Sequence, residues 1–358
     1  MNLLVAGWSV RSLACSLYDA GYNVTAADAY CDADLEIRGI PIISMREAIS
    51  QHSTFDALLY SSNVEELLQC FKGKIYGNSA ETIRHLSDTS AWFVFLDRTG
   101  IFYPRTWFSA SELPTGVEVL LKDPSRHGGV GVRPWTGENI SQGNLLQEKL
   151  DARSYSASFF AAENEVRLLG VTEHLGFEYD VRRMLNVPGY AYCGNILLRD
   201  WKEKIINRLS DIVRCLTKEY NLVGMNGIDF IMTEDEEPLL LEINPRWCAS
   251  FELLERIPDF VPAVSQIEGK LPPNTELSVG AVGKAILYAP VTGVKVPADS
   301  LEWLREGIVD VPMPGEIIMP RHPLCTVIAE GETRETCHNA LLEKASKLYE
   351  RLGKKDAK

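Results

Sequence analysis

The sequence predicts an α/β fold with more than one domain. At 358 residues the chain is too long for one ordinary hydrophobic core. Its N-terminal part alternates short apolar strands with helix-length segments, which is the order of a parallel α/β layer. Two apolar runs around residue 235, separated by an acidic turn, predict an antiparallel hairpin. Hydrophobic residues at 46% and charged residues at 24% are typical of a globular protein.

Charge, cysteine content and apolar run length indicate which partners and which cell compartment to expect. The formal net charge of -13 argues against nucleic acid as a partner, because phosphate backbones are bound by basic surfaces. The eight cysteines form no Cys-x-x-Cys pair and lie in apolar contexts, as expected for reduced thiols in a cytoplasmic protein. No apolar run reaches membrane-spanning length and the N-terminus does not resemble a leader, so we expect no membrane partner.

The N-terminal segments predict the parallel layer element by element. A strand, a helix and a strand are expected at Asn2 to Gly7, Ser12 to Asp19 and Val24 to Asp28. Further elements are a strand at Ile40 to Ile43, a helix at Ser44 to Gln51, strands at Ala57 to Tyr60 and Lys74 to Tyr76, and a helix from Ser79. A dinucleotide fingerprint is absent, since residues 7 to 12 contain one glycine where three are needed. Arg11 and the loop at 61 to 63 follow strand ends, where ligands collect, but ordinary polar loop tips are equally open.

The middle of the chain has a lysine followed by a glycine-rich loop. After a helix between Asp88 and Pro104, a strand at Val117 to Lys122 leads into Gly128, Gly129 and Gly131. Glycines let a loop fold its backbone N–H groups over phosphates, and a lysine supplies a mobile positive charge. A flexible hairpin explains the same glycines without a ligand.

The remaining segments complete the prediction. Expected strands are Leu145 to Leu150, Leu168 to Thr172, Gly283 to Tyr288 and Thr326 to Ala329, and expected helices are Trp201 to Tyr220 and Thr333 to Leu352. The long helix from Trp201 is expected to pack on the sheet that carries Asp229. Leu271 to Thr275 is a predicted linker, and Lys354 to Lys358 a solvated tail.

The hairpin carries polar residues inside apolar strands. Asp229 lies in the first run and Glu242 in the second, with Asn244 and Arg246 following at two-residue spacing. We expect both acids to be buried, and a buried carboxylate costs several kcal/mol unless it is paired. Residues two apart share one face of a strand, so three oxygen-bearing side chains can meet there and suit Mg²⁺. The alternative is a hairpin with one paired glutamate and a helix-capping asparagine.

The spacing of Asp229 and the segment Leu-Glu242-Ile-Asn244-Pro-Arg246 resembles the metal-binding signature of the ATP-grasp superfamily. The chain as a whole resembles an archaeal and methylotroph carboligase-like group described as related to biotin carboxylase. The resemblance implies an ATP-grasp fold, α+β within its nucleotide-binding module. It also implies three domains: a Rossmann-like N-terminal domain at 1–87, an ATP-grasp domain at 88–268 with subdomains of about 88–150 and 151–268, and a small C-terminal α/β domain at 269–358.

The same resemblance implies roles for individual residues. Mg²⁺ or Mn²⁺ on ATP is expected at Asp229, Glu242 and Asn244, and Arg246 is expected to steady an acyl phosphate. Phosphate contacts are expected from Lys122, Gly128, Gly129 and Gly131. The hinge that reads adenine through its backbone is expected at Gln147, Glu148, Lys149 and Leu150. Thr89 stands where relatives carry a phosphate-binding lysine, and Arg84 or Arg98 are candidate replacements.

The implied activity is that of an ADP-forming ligase. ATP activates a carboxylate as an acyl phosphate, and an amine attacks it to give an amide, so both partners are small molecules. Synthesis of a one-carbon-carrier cofactor is a plausible setting, and a homodimer is one possible assembly. Two alternatives stay open: a carboxylase-like enzyme that uses bicarbonate, and a regulatory module that binds ATP without turnover, which Thr89 favours.

Overall fold

The N-terminal domain is a five-stranded parallel sheet flanked by helices. The computed structural model describes residues 1–163, 165–271 and 277–355. The strands are β1 (Asn2–Gly7), β2 (Asn23–Asp28), β3 (Ile42–Ile43), β4 (Ala57–Tyr60) and β5 (Lys74–Ile75), and the helices are α1 (Arg11–Asp19), α2 (Ala33–Ile37), α3 (Met45–Ser50), α4 (Glu65–Cys70) and α5 (Ala80–Leu86). The strand order is β3-β2-β1-β4-β5, so the order reverses beside β1. This confirms the predicted parallel layer, although the sequence did not predict α2 and α4.

A small antiparallel sheet follows the helix α6 (Thr89–Thr99). Its strands are β6 (Thr106–Trp107), β7 (Val119–Lys122), β8 (Val132–Pro134) and β9 (Leu145–Glu148), in the order β6-β9-β7-β8. The Asp88 carboxylate caps α6 by accepting from Ala91 N at 3.0 Å, and Gly100 ends it at a φ of 66°. The sheet places the end of β7, with Lys122, beside the start of β9.

An eight-stranded sheet forms the rest of the molecule. Its first half contains β10 (Ser154–Ala161), β11 (Val166–His174), α7 (Tyr179–Met184), β12 (Gly194–Leu198), α8 (Glu203–Tyr220), β13 (Gly224–Met232) and β14 (Pro238–Asn244). The C-terminal part contains α9 (Pro262–Glu268), β15 (Ala281–Tyr288), β16 (Val294–Lys295), β17 (Ile308–Val309), β18 (Ile317–Ile318), β19 (Pro323–Gly331) and α10 (Arg334–Lys355). The order is β14-β13-β10-β11-β12-β15-β19-β17, while β16 and β18 pair separately.

Two long helices cover this sheet. The buried face of α8, including Leu209 and Leu216, packs with Phe159 and Phe230 of the sheet. The predicted packing of this helix on the sheet that carries Asp229 is therefore confirmed. Helix α10 places Leu341 and further apolar residues against the C-terminal strands. Each helix buries one apolar stripe, as its 3.6-residue pattern indicates.

The eight-stranded sheet spans the predicted boundary between the ATP-grasp domain and the C-terminal domain. Strand β15 pairs with β12 over residues 281–285, so the segments before and after the predicted boundary at 268/269 belong to one sheet. The three-domain division stays a prediction. Beyond Leu271, the predicted linker lies outside the described residues, as does the end of the predicted tail from residue 356.

Candidate metal and phosphate site

The hairpin of β13 and β14 places the two predicted acids opposite each other. Asp229 pairs with Glu242 in the antiparallel register, with an irregularity directly after Asp229. Directly opposite residues project to the same face, so the two carboxylates meet. The Asp229 side chain is 18% exposed, and Glu242 is exposed. The expected burial of Glu242 is therefore wrong: β14 is the edge strand of the sheet, and its acid faces open space.

Asn244 bridges the two acids. Its Nδ2 donates to Asp229 Oδ2 at 3.1 Å and to Glu242 Oε1 at 3.4 Å. Its Oδ1 accepts from Arg246 Nη2 at 2.8 Å. The structure thus brings together all four side chains that the hairpin pattern singled out. Their roles toward a metal and an acyl phosphate stay predictions.

The two facing carboxylates of Asp229 and Glu242 repel each other when both are ionised. Glu242 is open to solvent on one side, but the surrounding protein removes enough water to raise the pKa of Glu242 to about 7, and the Asp229 charge adds to the rise. The charges of Lys122 and Arg246 act in the opposite direction. Two facing carboxylates with one bridging amide therefore favour a positive partner.

Ser156 bonds directly to the Asp229 carboxylate, and His174 bonds to Ser156. Neither residue was identified from the sequence. The Ser156 hydroxyl donates to Asp229 Oδ1. Because that proton is used, the contact of 2.5 Å between Ser156 Oγ and His174 Nε2 requires the imidazole to donate. Burial lowers the pKa of His174 to about 4, so the ring is neutral at physiological pH. The strands pair Ser156 with Asp229 and with Thr172, which brings His174 near.

Lys122 approaches the acids from the small sheet. Burial lowers the pKa of the Lys122 ammonium, whereas the charges of Glu242 and Asp229 raise it, which places the lysine within electrostatic reach of the acid pair. Its Nζ donates to Gln147 Oε1. Gln147 is buried and donates through Nε2 to Thr106 Oγ1 at 3.1 Å. The Gln147 side chain therefore positions the lysine.

The glycine-rich loop docks on the segment 190–192. Tyr192 N donates to the Gly128 carbonyl at 2.9 Å. A Cβ on Gly129 would lie 2.2 Å from the Tyr190 carbonyl oxygen, so only glycine permits this approach. A Cβ on Gly131 would lie 2.7 Å from the Asp123 carbonyl oxygen, so the loop also folds tightly on itself. The contact fixes the loop beside Tyr192, whose ring lies 6.0 Å from that of His174.

The predicted hinge residues engage neighbouring side chains. Glu148 accepts two bonds from Arg105, at 2.9 and 2.5 Å. Lys149 N donates to the Glu118 carbonyl at 2.9 Å, and Lys149 Nζ donates to Glu118 Oε2 at 2.8 Å. Leu150 follows directly and is half-buried. Adenine recognition by this segment stays a prediction and would use its main chain.

Two of the weaker candidates have protein partners. Arg98 donates to Glu219 at 2.6 Å on the far side of α6, and Thr89 is the first residue of that helix. Arg11, considered for gripping a substrate, is 5% exposed and binds the carboxylates of Glu252 and Asp310. Neither of the two interpretations that the sequence left open describes Arg11, which is not an exposed loop residue and whose guanidinium is already paired within the protein.

Two absences concern metals and membranes. Within residues 1–163, 165–271 and 277–355, no three His, Cys, Asp or Glu side chains gather in a way that suits a metal ion. The candidate site differs from such a cluster, since it combines two carboxylates with an amide. In the same part of the chain, no helix has both the length and the apolar character needed to cross a membrane.

The fold and the site define a class. The chain combines a parallel N-terminal sheet, a small sheet with a lysine and a glycine-rich loop, and a large sheet with an acidic hairpin. Residues 87–250 match the ATP-grasp domain family. The chain thus contains an ATP-grasp domain, and the recognised resemblance to the ATP-grasp superfamily is confirmed. No curated protein sequence matches the chain significantly.

Solved structures share the fold over nearly the whole chain. N5-carboxyaminoimidazole ribonucleotide synthetase from Thermotoga maritima is 19% identical, with a TM-score of 0.70, covering 97% of this chain and 98% of that one. The Aspergillus clavatus carboxyaminoimidazole ribonucleotide synthase complexed with ATP is 14% identical, with a TM-score of 0.71 and coverages of 98% and 99%. The biotin carboxylase domain of the 2-oxoglutarate carboxylase from Hydrogenobacter thermophilus, in complex with MgADP, ADP and bicarbonate, is 14% identical, with a TM-score of 0.68 and coverages of 95% and 88%.

Proposed function

We propose that the protein is an ATP- and Mg²⁺-dependent ligase that joins a carboxylate to an amine and forms ADP. One observation carries the proposal: the facing carboxylates of Asp229 and Glu242, bridged by Asn244, lie within electrostatic reach of Lys122 in an ATP-grasp domain. The solved structures with ATP and with MgADP support a nucleotide in this fold.

The donor set fits a hard cation. Asp229, Glu242 and the amide oxygen of Asn244 would hold Mg²⁺, which prefers carboxylate and carbonyl oxygens. The amide NH₂ of Asn244 now stands between the carboxylates, where it supplies a partial positive charge. The chemistry that bound Mg²⁺ supplies is neutralisation of the charge that develops on the transferred phosphate.

The chain's own residues perform the remaining tasks. Lys122, oriented by Gln147, places an ammonium group at the phosphates. The docked loop presents backbone N–H groups around Gly128 and Gly129. Arg246, which now binds Asn244, steadies the acyl phosphate as the amine attacks.

The resemblance supports a metabolic role for the ligase, and the cysteines support a cell compartment. Similarity to the archaeal and methylotroph group supports amide or glutamyl ligation during synthesis of a one-carbon-carrier cofactor. All eight cysteines are free, which supports a cytoplasmic location. A homodimer stays a prediction.

A second candidate is a carboxylase-like enzyme. The structural likeness to a domain bound to MgADP and bicarbonate favours it. Bicarbonate would then replace the organic acid, and ADP would form without any added carboxylate.

The test replaces one carboxylate and measures ADP release. Glu242→Gln keeps the shape but removes a charge, so we expect ADP formation with a matched acid and amine to fall at least a hundredfold. Glu234→Gln is the matched control, because Glu234 is exposed in the turn of the same hairpin. Unchanged turnover in Glu242→Gln refutes the ligase. ADP release with bicarbonate alone favours the carboxylase, and Mg-ATP binding without ADP release from any substrate pair favours the regulatory module.

A further inference from the structure

A second acidic cluster lies at the C-terminal edge of the parallel sheet. Asp28 ends β2 and accepts from the backbone N–H groups of Val10, Tyr30 and Cys31, at 2.6, 2.8 and 2.9 Å. These bonds draw the loops after β1 and β2 together. The cluster thus sits where ligands bind in open α/β sheets.

The C-terminal segment adds an acid to this edge. Ala33 N donates to the Val311 carbonyl at 2.8 Å, and Val311 N donates to Asp34 Oδ2 at 2.8 Å. Asp32 and Asp310, each one residue earlier, are therefore neighbours. Asp310 has a φ of 54°, an uncommon conformation for a residue other than glycine, so the surroundings hold this turn in place.

The cluster contains more acids than cations. Arg11 Nε donates to Asp310 Oδ1 at 2.7 Å and its Nη groups bind Glu252, while Lys284 Nζ donates to Glu252 Oε2 at 2.7 Å. Both positively charged side chains are therefore already paired with Glu252 and Asp310. Asp32 is 5% exposed, and its Oδ2 has no hydrogen-bond partner among the described residues. A buried carboxylate oxygen without a partner is unfavourable and indicates a missing positive group.

Two aromatic rings adjoin the acids. Trp8 follows β1, is 51% exposed and donates through Nε1 to the Tyr30 hydroxyl at 3.0 Å. Tyr30 N donates to the Asp28 carboxylate at 2.8 Å, and Asp32 follows two residues later, so Tyr30 lies beside the cluster. Burial raises the pKa of Tyr30, and the charges of Asp32, Asp28 and Asp310 add to the rise. The Asp310 side chain is 24% exposed, so the cluster opens to solvent there. Aromatic faces also attract ammonium groups.

We propose that Asp32 and Asp310, in the acidic cluster beside Tyr30, bind an ammonium group of the ligase's amine substrate. The inference rests on the proposed ligase function. An ammonium has no lone pair and cannot attack an acyl phosphate, so the bound group is a second nitrogen and the substrate is a diamine or another amine with two basic nitrogens. A short segment connects the cluster with β14, because Glu252, which binds Arg11, follows Arg246 by six residues.

The experiment measures binding without turnover. Titration calorimetry at pH 7.5 and 150 mM salt compares 1,4-diaminobutane with 1,4-butanediol, which has the same length but carries no ammonium group. We expect the wild-type protein to bind the diamine at least tenfold more tightly. Asp32→Asn should lose this preference, while Asp19→Asn, which changes an exposed acid of the same domain, should keep it. Thermal unfolding of each variant verifies that it is folded.

The outcomes separate this site from the proposed function. An equal affinity of the wild-type protein for the diamine and the uncharged diol, or an unchanged preference in Asp32→Asn, overturns the site. Diamine preference that depends on Asp32, in a protein that never forms ADP, supports the site and refutes the ligase. ADP formation with butylamine and no gain from 1,4-diaminobutane supports the ligase and refutes the site.

Discussion

Replacing Ser156 with alanine tests how the Asp229 carboxylate is held. The Ser156 hydroxyl lies between Asp229 Oδ1 and His174 Nε2, and His174 is 3.8 Å from the carboxylate. Without the hydroxyl, Asp229 keeps the bond from Asn244 and gains freedom to rotate. Loss of such an orienting partner costs roughly 10- to 100-fold in metal affinity, or about 1.4 to 2.8 kcal/mol.

The assay is a Mn²⁺ titration followed by electron paramagnetic resonance in the presence of a non-hydrolysable ATP analogue. Ser156→Thr keeps the hydroxyl and should restore most of the affinity. Ser210→Ala is the matched control, because its hydroxyl donates to the Ile206 carbonyl at 2.7 Å within α8. If Ser156→Ala binds Mn²⁺ within twofold of the wild-type protein, the assignment of Ser156 as a positioning residue is refuted.

Three further substitutions probe the loop, the lysine and the second acidic cluster. Gly129→Ala should weaken binding of an ATP analogue at least tenfold by calorimetry, because its Cβ would meet the Tyr190 carbonyl. In Gly128→Ala the Cβ has open space and adds only backbone strain of about 1 to 2 kcal/mol. Equal effects of the two substitutions would contradict loop docking. Lys122→Met should weaken binding of the analogue roughly 10- to 100-fold, from a charge-assisted bond of about 1.5 to 3 kcal/mol. Because the pKa of Lys122 is lowered, wild-type affinity should decline with rising pH before an ordinary lysine deprotonates, and a flat profile is expected for the variant. Burial raises the pKa of Asp32, the charges of Asp310 and Asp28 add to the rise, and Arg11 opposes it with a smaller effect. This acid therefore stabilises the folded state most below about pH 4, and the contribution is lost as pH rises through its folded pKa. Asp32→Asn should raise the melting temperature at pH 8 and leave it unchanged at pH 4, and a decrease at pH 8 would contradict the reasoning.

Local pattern predicted the elements that are long or strongly periodic. The apolar rhythm of Ile205, Leu209 and Leu216 identified α8. The two apolar runs around Asp229 and Glu242, separated by an acidic turn, identified the hairpin, in which the two acids lie opposite each other. Helices α2 and α4 have five and six residues, too short for a helical period to stand out.

The missed site residues depend on pairings between distant segments. Ser156 lies 73 residues from Asp229, and Arg11 lies 299 residues from Asp310. Nothing in the local sequence specifies that β10 is the neighbour of β13. One signal was present: polar side chains at Ser154, Ser156 and Ser158 repeat on one face of an otherwise apolar strand, which indicates a polar cleft.

The buried ion pairs beside the second acidic cluster are better explained by position than by stability. Arg11, Glu252 and Lys284 are each less than a tenth exposed, and a buried ion pair adds little net stability over packed apolar side chains. Their contacts, however, join α1, the segment after Arg246 and β15 at one point. Lys284 Nζ also donates to the Ala249 carbonyl at 3.3 Å, within the 3₁₀ segment Ala249–Arg256. The stretch that follows Arg246 is thereby held at Ala249 and Glu252, which fixes its position against α1 and β15.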